Sequence, residues 1–138
     1  MLSEAILLRL APLLQGAGAT AAYFVAPLPP GVNSGAQGGL GVLLPLRRTT
    51  TGQLRSVEHL RLEVRQVLPP DHGEVIILND SRPSVAAAVV EHGATVYSGD
   101  EAERLRYEMM ILSRMLEFTS TMRRFLPEER NRHGRQPA

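Results

Sequence analysis

The stretch EVIILNDSRP at Glu74–Pro83, with VVEHGATVY at Val89–Tyr97 and DEAERLRYE at Asp100–Glu108, carries the reading of the fold. Glu74 to Leu78 is an aliphatic run too short for a surface helix, which predicts a buried strand. Asn79 to Arg82 are turn residues. Pro83, whose fixed φ and missing N–H suit a first helical turn, opens a helix through Val85, Val89 and Val90. Gly93 closes that helix as its C-cap, and Ala94 to Tyr97 is a further short strand. A long helix follows from about Asp100 to Leu126.

Toward the N-terminus, Ser3 caps a first helix with Leu7, Leu10 and Leu14 on one face, and Pro12 either kinks it or marks its end. Thr20 to Val25 and Leu40 to Leu46 read as short buried strands. Ala26 to Gly39 between them holds three prolines and four glycines, which forbids regular structure and predicts a long loop. Thr50 and Gln53 stand at capping-box spacing before a helix whose Val57, Leu60, Val64 and Val67 form one stripe, ended by Pro69 and Pro70. The order α-β-β-α-β-α-β-α predicts an α/β or α+β fold with a mixed sheet of about four strands and packed helices. One domain is expected over residues 1–126, with a polar, disordered tail at 127–138.

The chain has 138 residues, of which 43% are hydrophobic and 21% charged, values of an ordinary globular domain with a single core. Fifteen Lys and Arg against fourteen Asp and Glu leave a net charge of +1 with no basic block, so nucleic acid is not an expected partner. With no cysteine there is no disulfide, thiolate nucleophile or Cys-type zinc site, which fits the cytoplasm. The apolar start carries Glu4 and Arg9 and lacks a positive n-region, so it reads as a helix and not as a signal peptide. No run is long enough to span a membrane.

The segment from Glu74 to Pro83, with its continuation through Tyr97 and Glu108, resembles the second half of the minimal nucleotidyltransferase family, within the DNA polymerase β-like nucleotidyltransferases. The resemblance implies a bacterial protein commonly paired with a HEPN-domain partner, often as the antitoxin of a toxin–antitoxin system. In that family a strand similar to Ala21–Val25 runs into Gly-Ser, and an Asp-x-Asp pair opens the next strand. Residues at i and i+2 of a strand share a face, so both carboxylates hold Mg²⁺ for nucleotidyl transfer from ATP, with a third acid on a neighbouring strand.

Laid onto this sequence, Gly-Ser falls on Ala26 and Pro27, and the Asp pair on Gln37 and Gly39. Only the third position keeps an acid, Glu74. Because Leu10 to Leu54 contains no Asp or Glu, no shift of register restores the pair. The loop arginines usual in the family are replaced by Leu28-Pro-Pro-Gly31. The resemblance therefore implies a degenerate member without a catalytic site, without a bound metal and without a cofactor. The alternative is an enzyme that uses ATP and Mg²⁺ through an unusual or shared site.

Other signals are weaker. The glycines from Gly31 to Gly41 lack a Walker lysine and lead into a strand, so they read as a degenerated loop and not as a phosphate site. Asp71, His72 and Glu74 can be drawn as a metal or acid–base cluster, but a polar turn entering a strand carries such residues without a ligand role. His59 and His92 read as surface helix residues. The last helix has two apolar stripes about 120° apart. Leu105, Met109, Leu112 and Leu116 form one; Ile111, Met115, Phe118, Met122 and Phe125 form the other. One stripe suffices to bury the helix on its own domain, and the second is expected to meet another chain, either a copy of this one or a HEPN-domain protein. The residues from Ile111 to Phe125 are the expected interface.

Overall fold

The computed structural model describes residues 2–45 and 50–125, with side chains from 50 to 56 and from 121 to 125 excepted. The expected tail at 127–138, the capping pair of Thr50 and Gln53, and the side chains of Met122 and Phe125 lie outside the described residues.

Four strands form one mixed sheet: β1 (Ala21–Val25), β2 (Gly39–Leu43), β3 (Glu74–Ile77) and β4 (Ala94–Ser98), in spatial order β3-β2-β1-β4. β1 runs antiparallel to both neighbours, while β2 and β3 are parallel and connected through a helix. Helices α1 (Glu4–Gly16) and α2 (Thr50–Val67) cover one face. Helices α3 (Pro83–His92) and α4 (Glu101–Phe125) lie on the other.

Because both faces are covered, β1, β2 and β3 need apolar residues in both directions, which is why they read as aliphatic runs without polar alternation, whereas the edge strand β4 is largely exposed. Alternate residues divide cleanly. Ala22, Leu40, Val42, Val75 and Ile77 join Leu10, Leu14, Leu60 and Val64 in one core. Ala21, Tyr23, Val25, Leu43 and Ile76 join Val85, Val89, Tyr107 and Ile111 in the other. Close helix–sheet approach sets one residue in detail: a Cβ at Gly41 would stand 2.6 Å from Val89 Cγ1, so β2 gives up a side chain where Val89 of α3 meets it.

Several boundaries differ from the sequence expectation for visible reasons. β2 ends at Leu43, because the Asn79 side-chain amide takes over the next residue, accepting from the Leu44 N–H and donating to the Leu44 C=O, both at 2.9 Å; Leu46, the expected end, lies outside the described residues. That clamp also turns Leu78–Asp80 into a 3₁₀ turn, so β3 stops at Ile77. Pro12 lies inside α1, which continues to Gly16, and Ser3 Oγ accepts from the Ile6 N–H as its cap. Gly93 does cap α3, its N–H donating to Val89 O at 2.8 Å, but in extended backbone instead of a left-handed turn.

Candidate functional site

The register of the sheet brings the expected catalytic positions together at one end. Val25 pairs with Gly39 across β1 and β2, and Gly39 pairs with Glu74 across β2 and β3. Ala26 and Pro27 follow directly on β1, and Gln37 precedes β2 by two residues, its backbone N–H donating to Asp71 O at 2.6 Å. Ala26, Pro27, Gln37, Gly39 and Glu74 thus lie at the same end of the sheet. The only carboxylate among these five is Glu74, which is half-buried.

At its two glycines this end has no room for side chains, although Gln37 is exposed. A Cβ at Gly39 would land on the Glu74 carbonyl oxygen, far inside van der Waals contact, with the Glu74 carbonyl carbon and Cβ both at 2.9 Å. A Cβ at Gly38 would meet His72 Cδ2 at 2.6 Å and both Ala26 Cβ and Val25 O at 2.8 Å. The β3 backbone at Glu74 occupies the space a side chain at Gly39 would need. The His72 ring lies over this junction with its centroid 5.7 Å from that of Phe24, which itself packs on the α1/α2 core. His72 is held as a packing residue. Among the described residues no group of three His, Cys, Asp or Glu is placed to hold a metal ion.

The loop from Ala26 to Gly38 is tied to the domain by apolar contacts. Leu28 and Val32 pack on the α3/α4 core, and Gly31, at φ 95°, sits 3.5 Å by its Cβ position from Val85 Cγ2. Of the five aligned positions only Glu74 offers a carboxylate, and Gly39 has no room for a side chain, so these five do not make up the carboxylate set that Mg²⁺ and ATP, the groups the resemblance brings with it, would call for.

Helix α4 corrects the expected interface in part. Its first turns are fixed by a charged network: Arg104 bridges Glu101 and Glu108, Glu108 accepts from the Tyr23 hydroxyl at 2.9 Å, and Ser98 donates to Glu101 at 2.7 Å. The Arg104 and Ser98 hydrogen bonds hold the Glu101 carboxyl below the usual carboxylate range, and Glu101 in turn raises Arg104. Burial, then the hydrogen bond to Glu108, pushes the Tyr23 phenol well up; burial alone pushes Tyr107 up to about 12. The i, i+3 and i, i+4 spacing of Glu101, Arg104 and Glu108 is readable in the sequence. The reach to Tyr23, across the fold, is not.

Below the network, Tyr107 and Ile111 are buried in the α3/α4 core and Met115 packs against it, so Ile111 and Met115 serve this chain's own interior. One turn on, Phe118 continues the same line but is 60% exposed. The helix carries its apolar line past the core that the line began by filling. The other stripe faces outward: Leu105, Met109, Leu112 and Leu116 are 48%, 72%, 37% and 71% exposed. His59 and His92 are exposed as expected, His59 Nε2 standing 2.6 Å from Glu63 Oε1 one turn along α2. No described helix is long and apolar enough to cross a membrane.

No protein-family model matches the chain, and no curated protein matches it in sequence. Solved structures do match it in shape. A tri-AMPylated Shewanella oneidensis HEPN toxin in complex with an MNT antitoxin contains a chain that superposes with a TM-score of 0.60 at 12% identity, over 91% of this chain and 96% of that one. The toxin–antitoxin complex MntA-HepT gives 0.58 at 11% identity, over 92% and 97%. A mutant form of that pair gives 0.59 at 14%, over 93% and 98%. At such identities the likeness speaks for the fold: the four-stranded mixed sheet, its covering helices and the long last helix together make the nucleotidyltransferase-like fold of the MNT antitoxins.

Proposed function

We propose that this protein is a catalytically inactive nucleotidyltransferase-like protein that acts by protein–protein binding, as the antitoxin-like partner of a HEPN-domain protein in the bacterial cytoplasm. The observation that supports the inactive half of this reading is the rung Val25–Gly39–Glu74: Gly39, opposite Glu74, has no room for a side chain, and Gln37 two residues before it carries no charge. A two-metal phosphoryl-transfer site needs several carboxylates to offset its cations, and Glu74 alone does not supply them. The binding half draws on the solved complexes, in which MNT antitoxins stand with HEPN toxins, and on Phe118, exposed one turn beyond the buried Ile111 and part-buried Met115. In sequence, Met122 and Phe125 extend that line. An aromatic anchor beside methionines suits a partner surface.

The test is co-purification of the tagged chain with a HEPN-domain protein encoded by a neighbouring gene. Capture by the natural chain, and its loss or reduction by roughly tenfold in the Phe118→Ala, Met122→Ala double variant, is the expected result. Equal capture by both would move the interface elsewhere, and no capture by either would overturn the partner reading.

A further inference from the structure

We propose that Leu105, Met109, Leu112 and Leu116 of α4 form a docking seam for a second copy of this chain, the two α4 helices packing antiparallel. The residues are spaced four, three and four apart, the narrow heptad seam that lies along one line of a helix and fits another helix side by side. The line is separate from the one through Tyr107 and Ile111 that fixes α4 to its domain, and it is the exposed one. A two-fold axis near the middle of the seam sets Leu105 against Leu116 of the second copy and Met109 against Leu112 of the second copy, so the same four residues serve both sides, as an isologous contact requires.

Charge chooses both the occupant and the direction. Arg106 and Glu117 are exposed and border the seam on one flank, Arg106 toward its N-terminal end and Glu117 toward its C-terminal end. Antiparallel pairing brings Arg106 of each copy to Glu117 of the other, twice over. A parallel pair would instead ask Arg106 to meet Glu101 or Glu108, which Arg104, Ser98 and Tyr23 already hold. A flank that completes its own ion pairs under two-fold symmetry points to a copy of itself before any other helix. The proposal goes beyond the HEPN reading and uses a different line of α4 from Phe118, so the two stand or fall separately.

Sedimentation or light scattering of the full chain reads the outcome. A concentration-dependent species of twice the chain mass is expected, shifting to monomer in Met109→Glu and in Leu116→Glu. Arg106→Glu or Glu117→Arg alone should raise the dimer dissociation constant roughly tenfold, since two symmetric pairs are lost, and the double swap should restore it. All four positions are exposed, and an unchanged circular dichroism melt confirms folding; the charge swaps carry the test even if a Glu substitution in the seam lowers the melt. A monomeric natural chain, a dimer indifferent to Met109→Glu, or a double swap that fails to restore association overturns the proposal. So does a monomer whose capture of a HEPN-domain protein is lost in Met109→Glu and kept in Phe118→Ala, a result that would leave the partner reading intact.

Discussion

Two regions of this molecule have been treated in opposite ways. At the sheet end where β1, β2 and β3 meet, the two positions aligned with the family's acid pair hold Gln37 and Gly39, and at Gly39 and its neighbour Gly38 backbone and the His72 ring leave no room for a side chain. Along α4 the chain keeps large apolar side chains in the open, Met109, Leu116 and Phe118 among them. Exposed apolar groups that cluster on one element mark a surface to be covered, whereas a closed strand junction has nothing left to hold. The contrast favours assembly over chemistry.

The comparison can be broken most forcefully at Gly39. Gly39→Asp restores a family-like acid but drives a Cβ into the Glu74 carbonyl and leaves a crowded carboxylate; it should destabilise the fold by about 3–5 kcal/mol in urea titrations and confer no Mg²⁺-dependent nucleotide binding. A stable, ATP-binding variant would show the junction is more open than its geometry states. The two lines of α4 come next. Ile111→Ala, 4% exposed, should cost about 3 kcal/mol, while Met109→Ala should stay within about 0.5 kcal/mol in the monomer, and similar losses for both would erase the distinction between lines.

A smaller effect separates the network from its surroundings. Tyr23 and Tyr107 have raised phenol pKa values in the fold, so the neutral forms are favoured there. Their contribution is intact below the ordinary phenol value of 10.0 and is lost as pH rises past it, toward about 12 for Tyr107. Urea midpoints should fall as pH rises from about 10 toward about 12, and less steeply in Tyr23→Phe. The smallest effect belongs to Glu101, whose depressed carboxyl helps above its unfolded value and is lost as pH falls through the folded one. Being exposed, it is screened, so Glu101→Gln should give only a slight change in melting temperature that disappears in high salt.

The strands and helices were legible in the sequence because burial on both sheet faces leaves aliphatic runs between turn residues, as at Val75–Ile77 and Ala21–Val25. Their ends were less so: that Asn79 would clamp Leu44 is a contact between residues 35 apart, with no local signal. The absence of acids around Gln37 and Gly39 was plain from composition, but the closure of the site was not, since it depends on Glu74 lying opposite Gly39 across a parallel pair. On α4 both stripes were visible at their helical spacing. Which one the domain keeps is decided by where α3 and the sheet stand, and there Ile111 and Met115 turned out to face inward.

Calorimetric titration of the intact chain with ATP and Mg²⁺ tests the central claim most directly. The account predicts no saturable heat and no dependence on the metal. Tight, Mg²⁺-dependent binding would contradict it and return the protein to the nucleotidyltransferases in activity as well as in shape.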